Sequence, residues 1–428
     1  MEREFKDSGI EWIGKIPREW KTERIKVLFS ERNERDCRGK TLLSVSQYFG
    51  IRPKSETDLA DSHIAESYDD YKVVHKGDFV MNIMLAWNGS YAVSDYDGMV
   101  SPAYCVFKFR NDCCNKYFHY LLRTDGYPTA FKTMSRGVID SRLRLYPEQF
   151  YTFPVIHPPL PEQQRIADYL DKKCSEIDKL IALQEQMIAQ LTDYKQSVIT
   201  EAVTKGLNPN AQLVPSGVEW IGDVPEGWIL KKVKYIVDSI SKGNGITKEE
   251  VFANGDTPCI RYGEIYSKYN HSFNVCISAT NKDIQKSPHY FHYGDILCAG
   301  TGELVEEIGK SIVYLGEKPC LAGGDIIIIS HNQVPTFLNY ALNSDYAQRQ
   351  KSRGKAKLKV VHISAFEIGS IYLMLPSLEE QRAIATFLDT KCSEIDSLIS
   401  LKQQKIETLK DYKKSVIYEA VTGKTDIA

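Results

Sequence analysis

Nowhere in these 428 residues do apolar side chains run on for the roughly 18 positions that a membrane-crossing helix requires. The opening Met1-Glu2-Arg3-Glu4 is charged and lacks the apolar core of a secretion signal, so the expected location is the cytoplasm, with no membrane partner. The ten cysteines include no C-x-x-C pair, and Cys113 and Cys114 are adjacent, a spacing that suggests neither a zinc site nor a disulfide framework. Catalytic signatures are missing too. Gly309-Lys310-Ser311 resembles the end of a phosphate loop, but the Walker spacing needs glycine where Leu304 stands. His157-Pro158-Pro159-Leu160 lacks the amide and the aromatic ring with which a base methyltransferase holds a flipped adenine. Gly243, Gly245, Gly323 and Gly324 make no dinucleotide fingerprint, and neither H-E-x-x-H nor Gly-x-Ser-x-Gly occurs. Net charge is −2, so any nucleic-acid-binding surface must be local.

What is present is a duplication. Cys174-Ser175-Glu176-Ile177-Asp178 returns 218 positions later as Cys392-Ser393-Glu394-Ile395-Asp396, and Asp193-Tyr194-Lys195 and Ser197-Val198-Ile199 return at the same offset. The apolar positions of the first copy recur every three or four residues, which is helical spacing with a seam near heptad register. Along that seam stand Leu170, Ile177, Gln184, Leu191 and Val198, and in the copy Leu388, Ile395, Lys402, Leu409 and Val416. Pro161 suits a first helical turn, and Gly206 and Gly423 suit the caps. At about 1.5 Å per residue each helix spans roughly 65 Å, and two such amphipathic rods most simply bury their seams against each other. Gln184 and Lys402 interrupt the apolar line at equivalent places, and polar groups at such positions can fix pairing register at a cost in stability. Cys174 and Cys392 fall at matching seam positions and read as buried small hydrophobes.

The chain is longer than one ordinary domain, and 43% hydrophobic with 26% charged residues is a folded composition. In order, it is one plan used twice: a globular segment, then a long helix. Ser8-Gly9-Ile10-Glu11-Trp12-Ile13-Gly14 with Trp20 is matched by Ser216-Gly217-Val218-Glu219-Trp220-Ile221-Gly222 with Trp228. Fixed beside a helix end, these tryptophans read as packing anchors rather than base-stacking groups. The second copy follows a helix end directly, so the first is expected to dock on the end of the other helix, closing a nearly circular fold with a pseudo-twofold axis. Strands are expected at Thr41 to Val45, Phe79 to Met84 and Tyr104 to Phe109, with a helix at Lys116 to Arg123. The second segment gives strands at Asp295 to Cys298, Ser311 to Leu315 and Asp325 to Ser330, with a helix at Thr336 to Asn343. Gly77-Asp78 and Gly294-Asp295 read as turns. Without a βαβ rhythm, the class is α+β. The expected boundaries are 1–157 and 207–375 for the globular domains, and 158–206 and 376–428 for the helices.

From Arg349 to Lys359 every second residue is basic: Arg349, Lys351, Arg353, Lys355, Lys357 and Lys359. As a strand or extended loop this run would align six positive charges, which suits a phosphate backbone. Lys132, Arg136, Arg142 and Arg144 form a thinner counterpart in the first half. Candidate base-reading positions lie in polar or aromatic stretches between strand signals: Ser46, Gln47, Tyr48, Trp87 and Asn88, then Arg261, Tyr262, Thr301 and Glu303.

Pro-Pro-Leu-x-Glu-Gln-x-x-Ile-Ala-x-(Tyr or Phe)-Leu-Asp, present at Pro158 to Asp171 and, with Ser377 for the second proline, at Pro376 to Asp389, resembles the specificity subunit of type I restriction-modification systems. The Ser-Gly-x-Glu-Trp-Ile-Gly openings and Gly98-Met99-Val100-Ser101-Pro102-Ala103-Tyr104 resemble that family as well. The resemblance implies two target-recognition domains joined by two long antiparallel helices in a coiled coil, each domain reading half of a split double-stranded DNA target. It implies that two modification subunits bind the helices and that motor and restriction subunits complete the complex. S-adenosylmethionine, ATP and Mg would belong to those partners, with no cofactor on this non-catalytic chain. The alternative reading is a coiled-coil scaffold whose globular ends bind proteins without DNA.

Overall fold

The computed structural model describes residues 3–35, 37–56, 68–110, 112–139, 142–218, 221–284, 288–355 and 360–427. The chain divides into two compact units, Met1–Gln184 with Gln404–Ala428, and Glu185–Gln403.

The first unit is built on a four-stranded antiparallel sheet in the order Phe29–Glu31, Tyr104–Phe109, Phe79–Asn82, Tyr91–Val93. Alternation of side chains along each strand feeds two cores. Phe79, Met81, Cys105 and Phe107 face an aromatic cluster with Phe29, Phe118, Phe131 and Phe150, while Val80, Ala92 and Val106 face Leu43, Val45, Ile51 and Val74. The helix Asn115–Leu122 lays Tyr117, Phe118, Leu121 and Leu122 on the aromatic side, which is the spacing of one helical face. The globular part closes where strand Lys21–Arg24 pairs with strand Pro154–His157.

The second unit repeats this closure with Ile229–Lys232 against Tyr372–Leu375. Its main sheet has five strands, Ser239–Lys242, Ile326–Ser330, Ile296–Ala299, Ser311–Tyr314 and Ser272–Phe273, the last pairing in parallel. Here too alternate residues part company. Ile296, Cys298, Val313, Ile327 and Ile329 join the core under helix Pro335–Leu342, and Leu297, Ala299, Ile312, Ile326 and Ile328 join the opposite one.

The repeated motif forms two helices, Leu160–Lys205 of 46 residues and Leu378–Val421 of 44 residues. In the first unit Ile166, Ala167 and Leu170 share a core with Val416, Ala420 and Val421, and Lys413 bridges Asp178 at 2.7 Å. In the second, Ile199, Ala202 and Val203 share a core with Ile384, Ala385 and Leu388, and Lys195 bridges Asp396 at 2.7 Å. Early residues of one helix meet late residues of the other, so the segments run antiparallel within each unit. Among the seam positions, Leu170, Ile177, Gln184, Leu388, Ile395 and Val416 are buried, and Leu191, Val198, Lys402 and Leu409 are half-buried. Cys174 and Cys392 are buried as well. Gly206 and Gly423 follow the helix ends with φ of +73° and +70°, the left-handed cap that only glycine adopts cheaply.

Strands and helices fall within about two residues of the sequence expectation, with one correction. Arg349 and Lys351 do not lie on an extended strip, because Asp345–Ser352 is a helix. Tyr346, Ala347 and Lys351 supply its buried face, and that helical spacing overrides the alternation of charges.

Candidate nucleic-acid interface

In both units the repeated motif is the joint between globular part and helix. The Trp20 indole N–H donates to the Glu162 carboxylate at 2.8 Å, and that of Trp228 donates to Glu380 at 3.1 Å. Gln163 accepts from the Cys114 N–H and donates to the Pro158 carbonyl, both at 2.8 Å; Gln381 accepts from Val334 and donates to Pro376, both at 3.1 Å. Tyr120 donates to Asp171 at 2.8 Å and Tyr340 to Asp389 at 2.9 Å. Each group satisfies a polar partner that the joint would otherwise bury unpaired. Trp20 is fully buried and Trp228 half-buried, so both are anchors. Trp12 packs edge-on against Tyr127, while Trp220 lies outside the described residues. The opening segment docks on the second long helix, where the Tyr418 hydroxyl donates to the carbonyls of Trp12 and Ile13 at 3.1 and 3.2 Å.

The first unit gathers its candidates on adjoining loops. Arg123 caps the helix Asn115–Leu122 and donates to the carbonyls of Gln47 at 2.6 Å, Tyr91 at 2.6 Å and Gly89 at 3.3 Å. This largely buried guanidinium pins the Ser46-Gln47-Tyr48 turn beside the loop of Trp87 and Asn88, and burial lowers its pKa. The Ser46 hydroxyl accepts from the Tyr48 N–H at 3.1 Å, leaving the Tyr48 ring 86% exposed. Asn88 accepts from the Ser90 hydroxyl at 2.8 Å, and Lys132 stands 5.0 Å over the Trp87 ring. Arg136 and Arg144 exchange backbone hydrogen bonds at 2.9 Å, which projects a short hairpin with Val138 at 98% exposure. Arg136 and Arg142 are exposed on it, and Arg144 is half-buried with a guanidinium N–H on the Leu143 carbonyl. The loop is joined to its neighbour because Leu145 donates to the Ile83 carbonyl at 2.9 Å. Arg123 escapes a sequence reading because its three acceptors are remote in the chain.

The second unit treats its candidates differently. Lys351 is 2% exposed and its ammonium donates to the Gly309 carbonyl at 2.6 Å; burial pulls its pKa down to about 8. Burial removes it from any basic surface. Lys355 pairs with Glu367 at 2.8 Å and donates to the His362 carbonyl. Lys357 and Lys359 lie outside the described residues, leaving Arg349 and Arg353 as the exposed cations of this run among those described. Both line a groove of about 560 Å³ with Phe366, Glu367 and Tyr372, and Lys232, outside that lining, stands 5.0 Å over the Tyr372 ring. Neither Lys232 nor Phe366, 80% exposed, had a sequence signal beyond its residue type. Of the reading candidates, Arg261 gives its backbone N–H to Glu264 at 2.8 Å and stands before the helix Tyr262–Ser267. Tyr262 and Glu303 are exposed. Thr301 is buried, its hydroxyl meeting His362 Nδ1 at 3.1 Å, so it offers no face to a ligand.

The family model described as the type I restriction modification DNA specificity domain matches this chain twice, over residues 17–193 and 225–411. The chain is 25% identical over 427 residues to the type I restriction enzyme MjaVIII specificity subunit of Methanocaldococcus jannaschii, covering 96% of this chain and 94% of that protein. It is 26% identical over 319 residues to the putative MjaX specificity subunit of the same organism, covering 72% and 67%. Among solved structures it matches a chain from work on complex assembly and conformational transition of the type I R-M system, with a TM-score of 0.71 at 17% identity, covering 96% of this chain and 99% of that one. The HsdS subunit from Thermoanaerobacter tengcongensis matches with a TM-score of 0.52 at 17% identity, covering 96% and 98%. These two likenesses speak for the fold. With the family model spanning most of both halves, the chain belongs to the type I restriction-modification DNA specificity family.

Proposed function

We propose that this chain is the non-catalytic, DNA-reading subunit of a type I restriction-modification complex. Each globular part reads one half of a split duplex target, and the two helices set the separation of the halves and carry two modification subunits. Those subunits supply the S-adenosylmethionine chemistry, and motor and restriction subunits supply ATP- and Mg-dependent work, all in the cytoplasm. The observation that carries the reading is one anchoring joint built twice from Trp20, Glu162 and Gln163 and from Trp228, Glu380 and Gln381, beneath loops that differ. A constant mount with changing loops is what two different half-sites on one ruler require. In the first unit the phosphate contacts fall to Lys132, Arg136, Arg142 and Arg144, and base reading to the pinned loops of Gln47, Tyr48, Trp87 and Asn88. In the second they fall to Arg349, Arg353 and, with the rest of the basic run, Lys355, Lys357 and Lys359, with Arg261, Tyr262 and Glu303 toward bases. Phosphate contacts fix position and base-edge contacts carry sequence. The scaffold alternative draws no support from these relatives.

Adenine-methylation mapping of the host genome with and without this gene tests the proposal. Loss of one split motif on deletion is expected. An unchanged methylome in a host whose modification subunit is active and co-purifies with this chain would overturn it.

A further inference from the structure

Asp112 and Cys113 are neighbours in sequence and His157 lies 44 positions beyond Cys113, yet one donor atom from each lies within 4.8 Å of the other two. His157 ends the strand that closes the first globular part, Asp112 and Cys113 lead into the helix Asn115–Leu122, and the two places meet where His157 Nε2 and the Gln163 amide both lie 3.3 Å from the Asp112 carbonyl. We propose that these three side chains bind a single divalent cation of the zinc class at the root of the first long helix.

Three features of the geometry support it. Donor atoms around a tetrahedral zinc, at bond lengths of about 2.0–2.3 Å, stand roughly 3.3–3.8 Å apart. His157 Nε2 is 3.8 Å from Asp112 Oδ2 and Cys113 Sγ is 3.9 Å from Asp112 Oδ1, the other oxygen of the same carboxylate; with one donor from each residue all three lie within 4.8 Å, so closure on an ion needs a contraction of up to about 1 Å. Second, the other imidazole nitrogen already has the partner that metal-bound histidines use. His157 Nδ1 meets Glu23 Oε2 at 3.1 Å, which fixes the ring, and Nε2 faces Asp112, 3.3 Å from its backbone carbonyl, a hydrogen bond that a bound ion would replace. Third, the donor set of one thiolate, one imidazole and one carboxylate is borderline-soft and selects zinc-like ions over magnesium or calcium. Asp112 stands at an exposed rim, so a fourth position is open to water.

The second unit serves as an internal comparison. Gln163 donates to the Asp112 carbonyl and Gln381 to the Gln333 side chain, marking the same place in both joints. There the positions corresponding to Glu23, Asp112, Cys113 and His157 are Lys231, Asn332, Gln333 and Leu375, none of which carries a thiol, imidazole or carboxylate, although Asp238 also lines that cavity. The ion would therefore tie the helix-entry loop to the closing strand in the first unit alone.

The full-length chain, stripped with a chelator under reducing conditions and titrated with Co²⁺, should bind one equivalent with thiolate-to-cobalt charge transfer in the near ultraviolet. Zn²⁺ should displace it. Cys113→Ser and His157→Leu should abolish the band, Cys114→Ser should retain it, and Glu23→Gln should weaken binding by about 10- to 100-fold through the orienting carboxylate. X-ray absorption of the zinc-loaded natural chain reads the ligands without any variant, and one sulfur with two or three nitrogen or oxygen neighbours is expected. Failure to bind one equivalent, a band that survives Cys113→Ser, or a shell with no sulfur would each overturn the assignment.

Discussion

The residue that follows the helix on the main sheet is Arg123 in the first unit and Asn343 in the second. Arg123 reaches the carbonyls of Gln47 and Gly89 and of the strand residue Tyr91, whereas Asn343 reaches a single strand residue, accepting from the Ser311 N–H at 3.0 Å and donating to the Ser311 carbonyl at 2.8 Å. One position of one repeated plan thus organises a loop surface in one half and locks a strand in the other. The basic residues diverge in the same way, since the first unit lifts Arg136 and Arg142 on a hairpin while the second buries Lys351 in a helix. Similar charge in the sequence does not become similar charge on the surface. What the repeat conserves is the mount, and what it frees is everything the mount displays.

The mount is the place to strike hardest. Trp20→Ala removes a fully buried indole and should cost about 3–5 kcal/mol, while Trp228→Ala, half-buried, should cost less. Denaturant titration reads both, and equal losses would break the ranking of the two joints. Next comes Lys351. Its ordinary pKa of 10.5 falls to about 8 on folding, so between those values the unfolded chain holds a proton that the folded chain has shed. Stability should rise with pH across that window by about 3 kcal/mol, and Lys351→Met should flatten the rise and stabilise the chain below it. Arg349→Ala and Arg353→Ala should each flatten the salt dependence of DNA binding by about one unit of slope, which Lys351→Met should leave alone.

Arg123→Ala should weaken use of one half-site by about 10- to 100-fold, because a charged donor leaves three carbonyls, and leave the other half-site untouched. Binding to duplexes altered in one half at a time measures it, and equal loss at both halves would merge the two surfaces. Gln184 is buried with no hydrogen-bond partner for its side-chain carbonyl, so Gln184→Leu should raise stability by about 1–3 kcal/mol. If Gln184 and Lys402 hold axial register, leucine at both should also loosen the preferred spacer, which methylation of spacer variants reads. The smallest effect belongs to Lys195→Ala and Lys413→Ala, partly exposed ion pairs worth up to about 1 kcal/mol each by thermal unfolding.

The helices, their caps and the mount were legible because they are local or repeated. The apolar seam follows a period, Pro161 and Gly206 punctuate it, and Gly77-Asp78 and Gly294-Asp295 make the expected turns, each aspartate accepting the N–H three residues before it. The surface was less legible. An every-second-residue run of charges also fits a helix once Tyr346 and Ala347 claim the core, and nothing near Arg123 announces partners at Gln47, Gly89 and Tyr91. Chemistry made by distant residues leaves no local trace, whether it is a pinned loop or the meeting of Cys113 with His157.

The pairing of Lys21–Arg24 with Pro154–His157, and of Ile229–Lys232 with Tyr372–Leu375, brings the entrance and exit of each globular part side by side. A stretch of gene lying between two such strands can be traded for a foreign one of different length, provided its ends still meet at that ladder. Recombination therefore has a natural pair of cutting points in each half, and a lineage can acquire a new preference without redesigning the rod that carries it.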